Sequence, residues 1–499
     1  MGLDAIAQHN TPLLSALQNC AIRSTAAFHT PGHKRGKGID PALQTLMGDR
    51  VFQSDLPELP ELDNLFAPSG VIQAAQALAA QAFGAEQTWF LTNGSTSGII
   101  AAILATCNPG EKIILPRHVH QSVISGLVLS GATPILVQPE YDSRLDLAHC
   151  VAPAMIATAL SHHPDAKAVM IVSPTYLGVC GDVAAIAQLC HQRNIPLLVD
   201  EAHGAHFSFH PDLPTSALQA GADVVVQSTH KTLSALTQAA MLHTQADLID
   251  RDRLTRALSL VQSTSPNYLL LASLDAARQQ MALHGKELMT QTLHLADDAR
   301  SRLAQIPELS ILTPQPSPTP GFFALDRTRL TVTISNLGID GFTADEWLNH
   351  QCGVIAELPT LNHLTFIITL GNTQTDIDRL VQGFQWLVES KSFVIRHSSF
   401  EYKGPMTIDQ GHSSSPPTPS PLSPRKAFFA QTETIPIQEA IDRISAELIC
   451  PYPPGIPILV PGEVITRDAI ATLQNLLASG AVLSGGADLT LETIKVIQQ

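Results

Sequence analysis

From about residue 70 to 285, short β-branched runs alternate with Ala/Leu-rich stretches at helical spacing. The runs TWFLT (88–92), KIILP (112–116), TPILV (133–137), AVMIV (168–172), IPLLVD (195–200) and ADVVVQS (222–228) are continuously apolar. Continuous rather than alternating runs suit strands covered on both faces. Between them the pattern predicts helices over 71–83, 98–106, 121–130 and 183–192. Such alternation indicates βαβ units around a largely parallel sheet, an α/β fold.

The pattern then changes. A long helix is predicted over 286–305, followed by strands RLTVTIS (329–335) and HLTFIITL (363–370). HSSSPPTPSPLSP (412–424) is too rich in Ser and Pro to build a packed core and reads as an extended linker or loop. Beyond it, a helix is predicted over 435–447. A Pro/Gly-punctuated turn, CPYPPGIPILVPGE (450–463), leads to a last helix near 466–479. The implied organisation is an N-terminal segment (1–30), a large domain (31–285), a small α/β domain (286–395), a linker (396–424) and a C-terminal domain (425–499).

Charge narrows the function classes. Lys and Arg total 29 against 44 Asp and Glu, a net charge of −15, with no basic block. Gripping a phosphate backbone needs the opposite, so nucleic-acid binding is not expected. No apolar run approaches the length of a membrane helix, and the N-terminus lacks a basic region before an apolar core. The seven cysteines are scattered, with no C-x-x-C pair, which fits a reducing compartment and a cytoplasmic protein.

Four features carry candidate chemistry. Lys231 follows the apolar run ADVVVQS, at a carboxyl strand end where open α/β sheets bind ligands. A lysine so placed can serve as a Schiff-base residue, although an isolated S-x-H-K is more often a surface loop. Asp200 ends IPLLVD, 31 residues earlier. A carboxylate there can keep the pyridine nitrogen of pyridoxal phosphate protonated, the condition for the ring to act as an electron sink; the bland alternative is a helix cap. The small residues of Thr92-Asn93-Gly94-Ser95-Thr96-Ser97-Gly98 would let backbone N–H groups approach a phosphate. His120, between a strand and a helix, could stack on a planar ring or be purely structural.

Phosphate loop, stacking residue, strand-end Asp and strand-end Lys occur in the order found in fold type I, aspartate aminotransferase-like, pyridoxal-phosphate enzymes. The flanking motifs FHTPGHKRG (28–36), DLPELPELDNL (55–65), TNGSTSG (92–98), RHVHQS (117–122), SPTYLG (173–178), VDEAHGAHF (199–207), QSTHKTLSALTQ (227–238), QSTSPNYLLLASLD (262–275) and YPPGIPILVPGE (452–463) resemble the Orn/Lys/Arg decarboxylase family. The PGHK segment begins near residue 31, which implies the short form without an N-terminal wing domain.

The resemblance implies pyridoxal 5'-phosphate as cofactor, held on Lys231, with Asp200 at its ring nitrogen. Gly94, Ser95 and Thr96 would bind its phosphate, assisted by Ser228 and His230. His120 would cover one ring face, Ala202 the other, with His203 adjacent. Thr264 would reach the phosphate of a neighbouring subunit, making a homodimer, or a larger assembly of dimers, necessary. Glu357 matches the family's G-[IV]-x-x-E segment and is the candidate substrate contact. The reaction implied is decarboxylation of arginine or lysine, less readily ornithine, with His230 or Lys231 returning the proton to Cα. Three departures stand out: Gln121 where Lys is usual, Asp442 where Gly is common, and a Ser/Pro insert at 412–424 longer than expected.

Rival readings fare worse. DEAH in VDEAHGAH suggests a helicase, but no GK[ST] phosphate loop occurs in the chain. His203, His206 and His210 lack a partner Cys pair or H-E-x-x-H, so no metal site is expected. An aminotransferase would share Lys231 and Asp200 and differ only in the flanking motifs. A catalytically silent scaffold would have no reason to retain all four features.

Overall fold

The computed structural model describes residues 7–314, 319–397, 421–452 and 454–498. Most of the Ser/Pro-rich stretch 412–424 therefore lies outside the described residues. Chain contacts define two compact units: Met1–Ala105 with Leu198–Met289, and Thr106–Leu197 with Thr290–Gln499.

All six anticipated strand runs form strands: β1 (Gln87–Leu91), β2 (Lys112–Pro116), β3 (Thr133–Val137), β4 (Ala168–Val172), β5 (Leu197–Asp200) and β6 (Val224–Gln227). A seventh, β7 (Ala240–Thr244), was not anticipated. In the first unit the strand order is β1-β7-β6-β5, and in the second it is β4-β2-β3. β5 and β6 are parallel, as are β2 with β3 and β2 with β4. β7 alone runs against its neighbours β1 and β6. Its sequence, AMLHT, has a single β-branched residue and a histidine, which is why it escapes a search for apolar runs.

Helices α1 (Val71–Phe83) and α2 (Gly94–Thr106) belong to the first unit, and α3 (Gln121–Ser130) and α4 (Val183–His191) to the second. α2 starts four residues before the expected 98, so the Gly/Ser/Thr turn is itself the first helical turn. Gly98 is required by packing. A Cβ there would lie 2.8 Å from Leu91 Cδ1 and 2.8 Å from Val226 Cγ1, so only a glycine lets α2 close onto β1 and β6. The helix predicted from 286 begins much earlier, as α5 (Tyr268–Leu303).

In the second unit, strands β8 (Ser310–Ile311), β9 (Arg329–Thr333), β10 (Leu358–Pro359) and β11 (His363–Ile367) form a sheet in the order β8-β9-β11-β10. Its core gathers Leu330, Val332, Leu364 and Phe366 with Ile377, Leu380 and Phe384 of α6 (Gln374–His397). A separate core, built on Ile437, Ile449, Leu459, Ile465, Leu473 and Ile494, holds the C-terminal segment.

The helix expected over 435–447 does not form. Thr432–Pro436 is instead strand β12, paired antiparallel with β13 (Thr493–Ile497), and Ile437–Glu439 is a single 3-10 turn. Exposure alternates along β12 with period two, and Pro436, at its end, lacks the N–H a helix interior needs. The last helix, α7 (Arg467–Ala478), forms where expected, capped by the Thr466 side chain on Ala469 N–H.

Candidate functional site

In the first unit the carboxyl ends of β5 and β6 bring several candidates together. β6 runs into a four-residue helical turn, Thr229–Thr232, which carries His230 and Lys231. Lys231 Nζ lies 3.0 Å from His203 Nε2. Asp200, buried at the end of β5, accepts a hydrogen bond from Ala202 N–H at 3.1 Å. Burial pushes the Asp200 carboxyl up, and the positive charge of Lys231 opposes that shift. Asp200, Ala202, His203 and Lys231 thus form one cluster.

Ser228 Oγ donates to Ser95 Oγ at 2.8 Å, which ties the end of β6 to the first turn of α2. Gly94, Ser95 and Thr96 open that helix, so their backbone N–H groups have no intrahelical acceptor. With the serine hydroxyls beside them, they form an anion-binding N-terminus. Two glutamines not singled out in the sequence hold the turn. Gln262 Oε1 accepts from Thr92 N–H at 3.0 Å, and Gln238 Nε2 donates to the Thr92 carbonyl. Asn93 Oδ1 also accepts from Ser263 N–H, at 3.2 Å. Both glutamines lie inside quoted motifs, but only the folded chain shows which of their residues face the turn.

His230 is held by the Ala239 carbonyl, 3.0 Å from its Nδ1. Nδ1 must carry the proton to donate there, which leaves Nε2 as the acceptor. Burial, with the Lys231 charge adding to it, lowers the His230 pKa. Thr264 is exposed, in the loop between helix Arg251–Val261 and α5.

His120 and Glu357 belong to the second unit. The His120 ring caps α3: Nδ1 accepts from Ser122 N–H at 3.2 Å and meets Ser122 Oγ at 2.9 Å. Its Nε2 edge faces Gly455 of the YPPGIP segment. That residue has φ +82°, and a Cβ there would stand 3.2 Å from Nε2. Gln121 N–H donates to the Gly455 carbonyl at 3.0 Å, and Tyr176 Oη donates to that of Pro454 at 2.7 Å. Arg117 donates to the carbonyls of Pro457 and Ile458 and pairs with Glu463 at 3.0 Å. RHVHQS, SPTYLG and YPPGIP, far apart in sequence, therefore form one contact. Glu357 is exposed at an open cavity also lined by Ile355, Asn372, Asp376 and Arg379.

Among the described residues no cluster of His, Cys, Asp or Glu is arranged to hold a metal ion, and no helix is long and apolar enough to cross a membrane.

The donor set fits pyridoxal phosphate: a strand-end amine, a buried carboxylate within reach of its charge, and a helix N-terminus with two hydroxyls for an anion. The fold is that of the fold type I enzymes. The structure superposes on the Francisella novicida lysine decarboxylase LdcF with a TM-score of 0.83 at 21% identity, covering 99% of this chain and 82% of that one. A Sphingomonas wittichii serine palmitoyltransferase shares the fold more distantly, with a TM-score of 0.51 at 14% identity over 65% of this chain and 78% of that one.

The chain belongs to the Orn/Lys/Arg decarboxylase family. The family's major domain matches residues 11–328 and its C-terminal domain residues 417–484. The arginine decarboxylase of Bacillus subtilis (strain 168) is 40% identical over 495 residues, 99% of each chain. That of Halalkalibacterium halodurans is 40% identical over 492 residues, 99% of this chain and 98% of the other. The lysine decarboxylase LdcA of Pseudomonas aeruginosa is 24% identical over 93% of this chain and 75% of its own length. The chain is accordingly an amino-acid decarboxylase.

Proposed function

We propose that this decarboxylase acts on L-arginine, releasing CO2 and agmatine, with pyridoxal 5'-phosphate held by Lys231. The carrying observation is the strand-end pair of Lys231 and Asp200, with His203 Nε2 3.0 Å from Lys231 Nζ. The choice of arginine rests on the relatives named arginine decarboxylase that match over the full length.

When bound, the cofactor supplies an electron sink for the pair of electrons left on Cα as CO2 departs. Lys231 Nζ provides the amine that holds it. Asp200 keeps the ring nitrogen protonated, which its burial and its reach to a positive charge support. The N–H groups of Gly94, Ser95 and Thr96 bind the phosphate, with the hydroxyls of Ser95 and Ser228 beside them and His230 nearby. Ala202 packs one ring face, with His203 adjacent, and His120 covers the other. Glu357 meets the basic end of the substrate. The Nδ1 proton of His230 is committed to the Ala239 carbonyl and the ring is held neutral, so the proton delivered to Cα comes from Lys231 Nζ.

Thr264 completes the phosphate site of a second subunit, so the working form is a homodimer. Its exposure in a loop supports that role. The domain boundaries are those set out above. A cytoplasmic setting is supported by seven cysteines that all remain free thiols. The test is product analysis with arginine, lysine and ornithine. Agmatine and CO2 in equal amounts, formed fastest from arginine, support the proposal. A 2-oxo acid in place of CO2 rejects decarboxylation, and cadaverine as the main product rejects arginine.

A further inference from the structure

The glutamate of the DEAH string has no place in the chemistry so far, yet it is among the most buried charged residues of the chain. Glu201 is 1% exposed. Its Oε1 accepts from Ala217 N–H at 2.7 Å and its Oε2 from Gln227 Nε2 at 2.7 Å. Gln227 Oε1 lies 3.2 Å from His243 Nε2, and His243 Nδ1 lies 2.8 Å from Thr88 Oγ1. Gln227 and His243 are fully buried, and Phe83 stacks on the His243 ring with centroids 4.9 Å apart.

Above about pH 8, where Glu201 is ionised, the donors leave one self-consistent arrangement. An ionised Glu201 only accepts, so the Gln227 amide must turn its NH2 toward it. Gln227 Oε1 then needs a donor, which places the His243 proton on Nε2. The bare Nδ1 in turn accepts from the Thr88 hydroxyl. The relay crosses β5, β6, β7 and β1 in one direction. Burial holds His243 neutral by lowering its pKa to about 3, and raises that of Glu201 to about 8. Glu201 directly follows Asp200, and Gln227 directly precedes Ser228. Successive residues along extended chain point to opposite faces, so the relay backs the two side chains turned toward the site.

We infer that Glu201, Gln227 and His243 are positioning residues, whose relay fixes the carboxyl ends of β5 and β6 and thereby the placement of Asp200 and Ser228. The inference rests on the proposed contacts of Asp200 and Ser228 with the cofactor. It makes the direction of the relay consequential. In Glu201→Gln the incoming amide can donate where the carboxylate accepted, and the chain can reverse: Gln227 flips, and His243 carries its proton on Nδ1. In Gln227→Leu there is no middle link.

Two readouts test this. Nitrogen-15 NMR of histidine-labelled, cofactor-free protein reports the His243 tautomer, and titration with pyridoxal phosphate reports affinity. Measured above about pH 8, where Glu201 is ionised, the expected result is the Nε2–H tautomer in the natural chain and Nδ1–H in Glu201→Gln, with affinity held within about three-fold because a reversed relay keeps every hydrogen bond. Gln227→Leu should weaken cofactor affinity roughly ten-fold or more, while the KM for amino acid at loaded sites stays unchanged. Should Gln227→Leu fail to fold, Thr88→Val breaks the relay at its far end and is read the same way. An unchanged tautomer in Glu201→Gln, or natural affinity in the broken variants, overturns the inference. If arginine is not decarboxylated while these shifts occur, the relay stands and the substrate assignment falls. If the natural chain binds no pyridoxal phosphate, the contacts of Asp200 and Ser228 fall with it.

Discussion

Asp200 and Lys231 could be found in the sequence because each follows a run of apolar residues that can only be a buried strand, and a charge at such a boundary stands out. The partners that hold them could not. Gln227, His243 and Thr88 are single polar residues within or beside apolar runs, and nothing local distinguishes a relay member from a tolerated core polar group. Lys231→Ala should remove both turnover and the yellow absorbance of the bound cofactor while leaving the fold intact, since Lys231 is only half-buried. Absorbance and circular dichroism on the same sample check this. His243 supplies a pH prediction. Its folded pKa of about 3 lies below its ordinary value of 6.5, so the unfolded chain binds more protons between the two. The stability it contributes is complete above pH 6.5 and is lost as pH falls toward 3. His243→Gln should therefore flatten the acid limb of a stability profile by up to one proton's slope, measured by urea unfolding at stepped pH; an unchanged limb contradicts it.

At the scale of elements, continuous apolar runs located six of the seven strands β1–β7, because burial on both faces leaves a strong composition signal. β7 lacks that signal, and α2 begins earlier than its apolar stretch because its first turn is built of small polar residues. The mistaken helix at 435–447 had enough Ala, Ile and Glu to look helical. Pairing of Thr432–Pro436 with the distant strand Thr493–Ile497 overrode that local preference, and sequence periodicity does not report a partner some 60 residues away. Asp442 lies in this region with φ +66°, a left-handed conformation that favours glycine. Asp442→Gly should leave activity unchanged and shift stability by about 0.5 kcal/mol toward the folded state. Gly98→Val should cost about 1–3 kcal/mol, because its side chain must displace Leu91 or Val226. Denaturant midpoints measure both.

For the whole molecule, a net charge of −15 suits a basic substrate without selecting one, since net charge reports solubility and long-range attraction rather than fit. The proposed exchange of Thr264 between subunits is a property of the assembly, and one chain's sequence shows it only through the family's motif. It has a direct consequence. Lys231→Ala and Thr264→Asp proteins, each inactive alone, should regain about a quarter of full activity when mixed and reassorted, because half of the dimers are mixed and each has one intact site. No recovery in a mixture shown to exchange subunits would place Thr264 in its own subunit's site or in none.

The central claim is that Lys231 holds the cofactor. Reduction of the loaded enzyme with borohydride, followed by peptide mass spectrometry, fixes the cofactor to whichever lysine carries it. A single modified peptide, one that contains the 227–238 segment and is labelled at Lys231, is the predicted result. Label on another lysine, or on none in an active preparation, would contradict it.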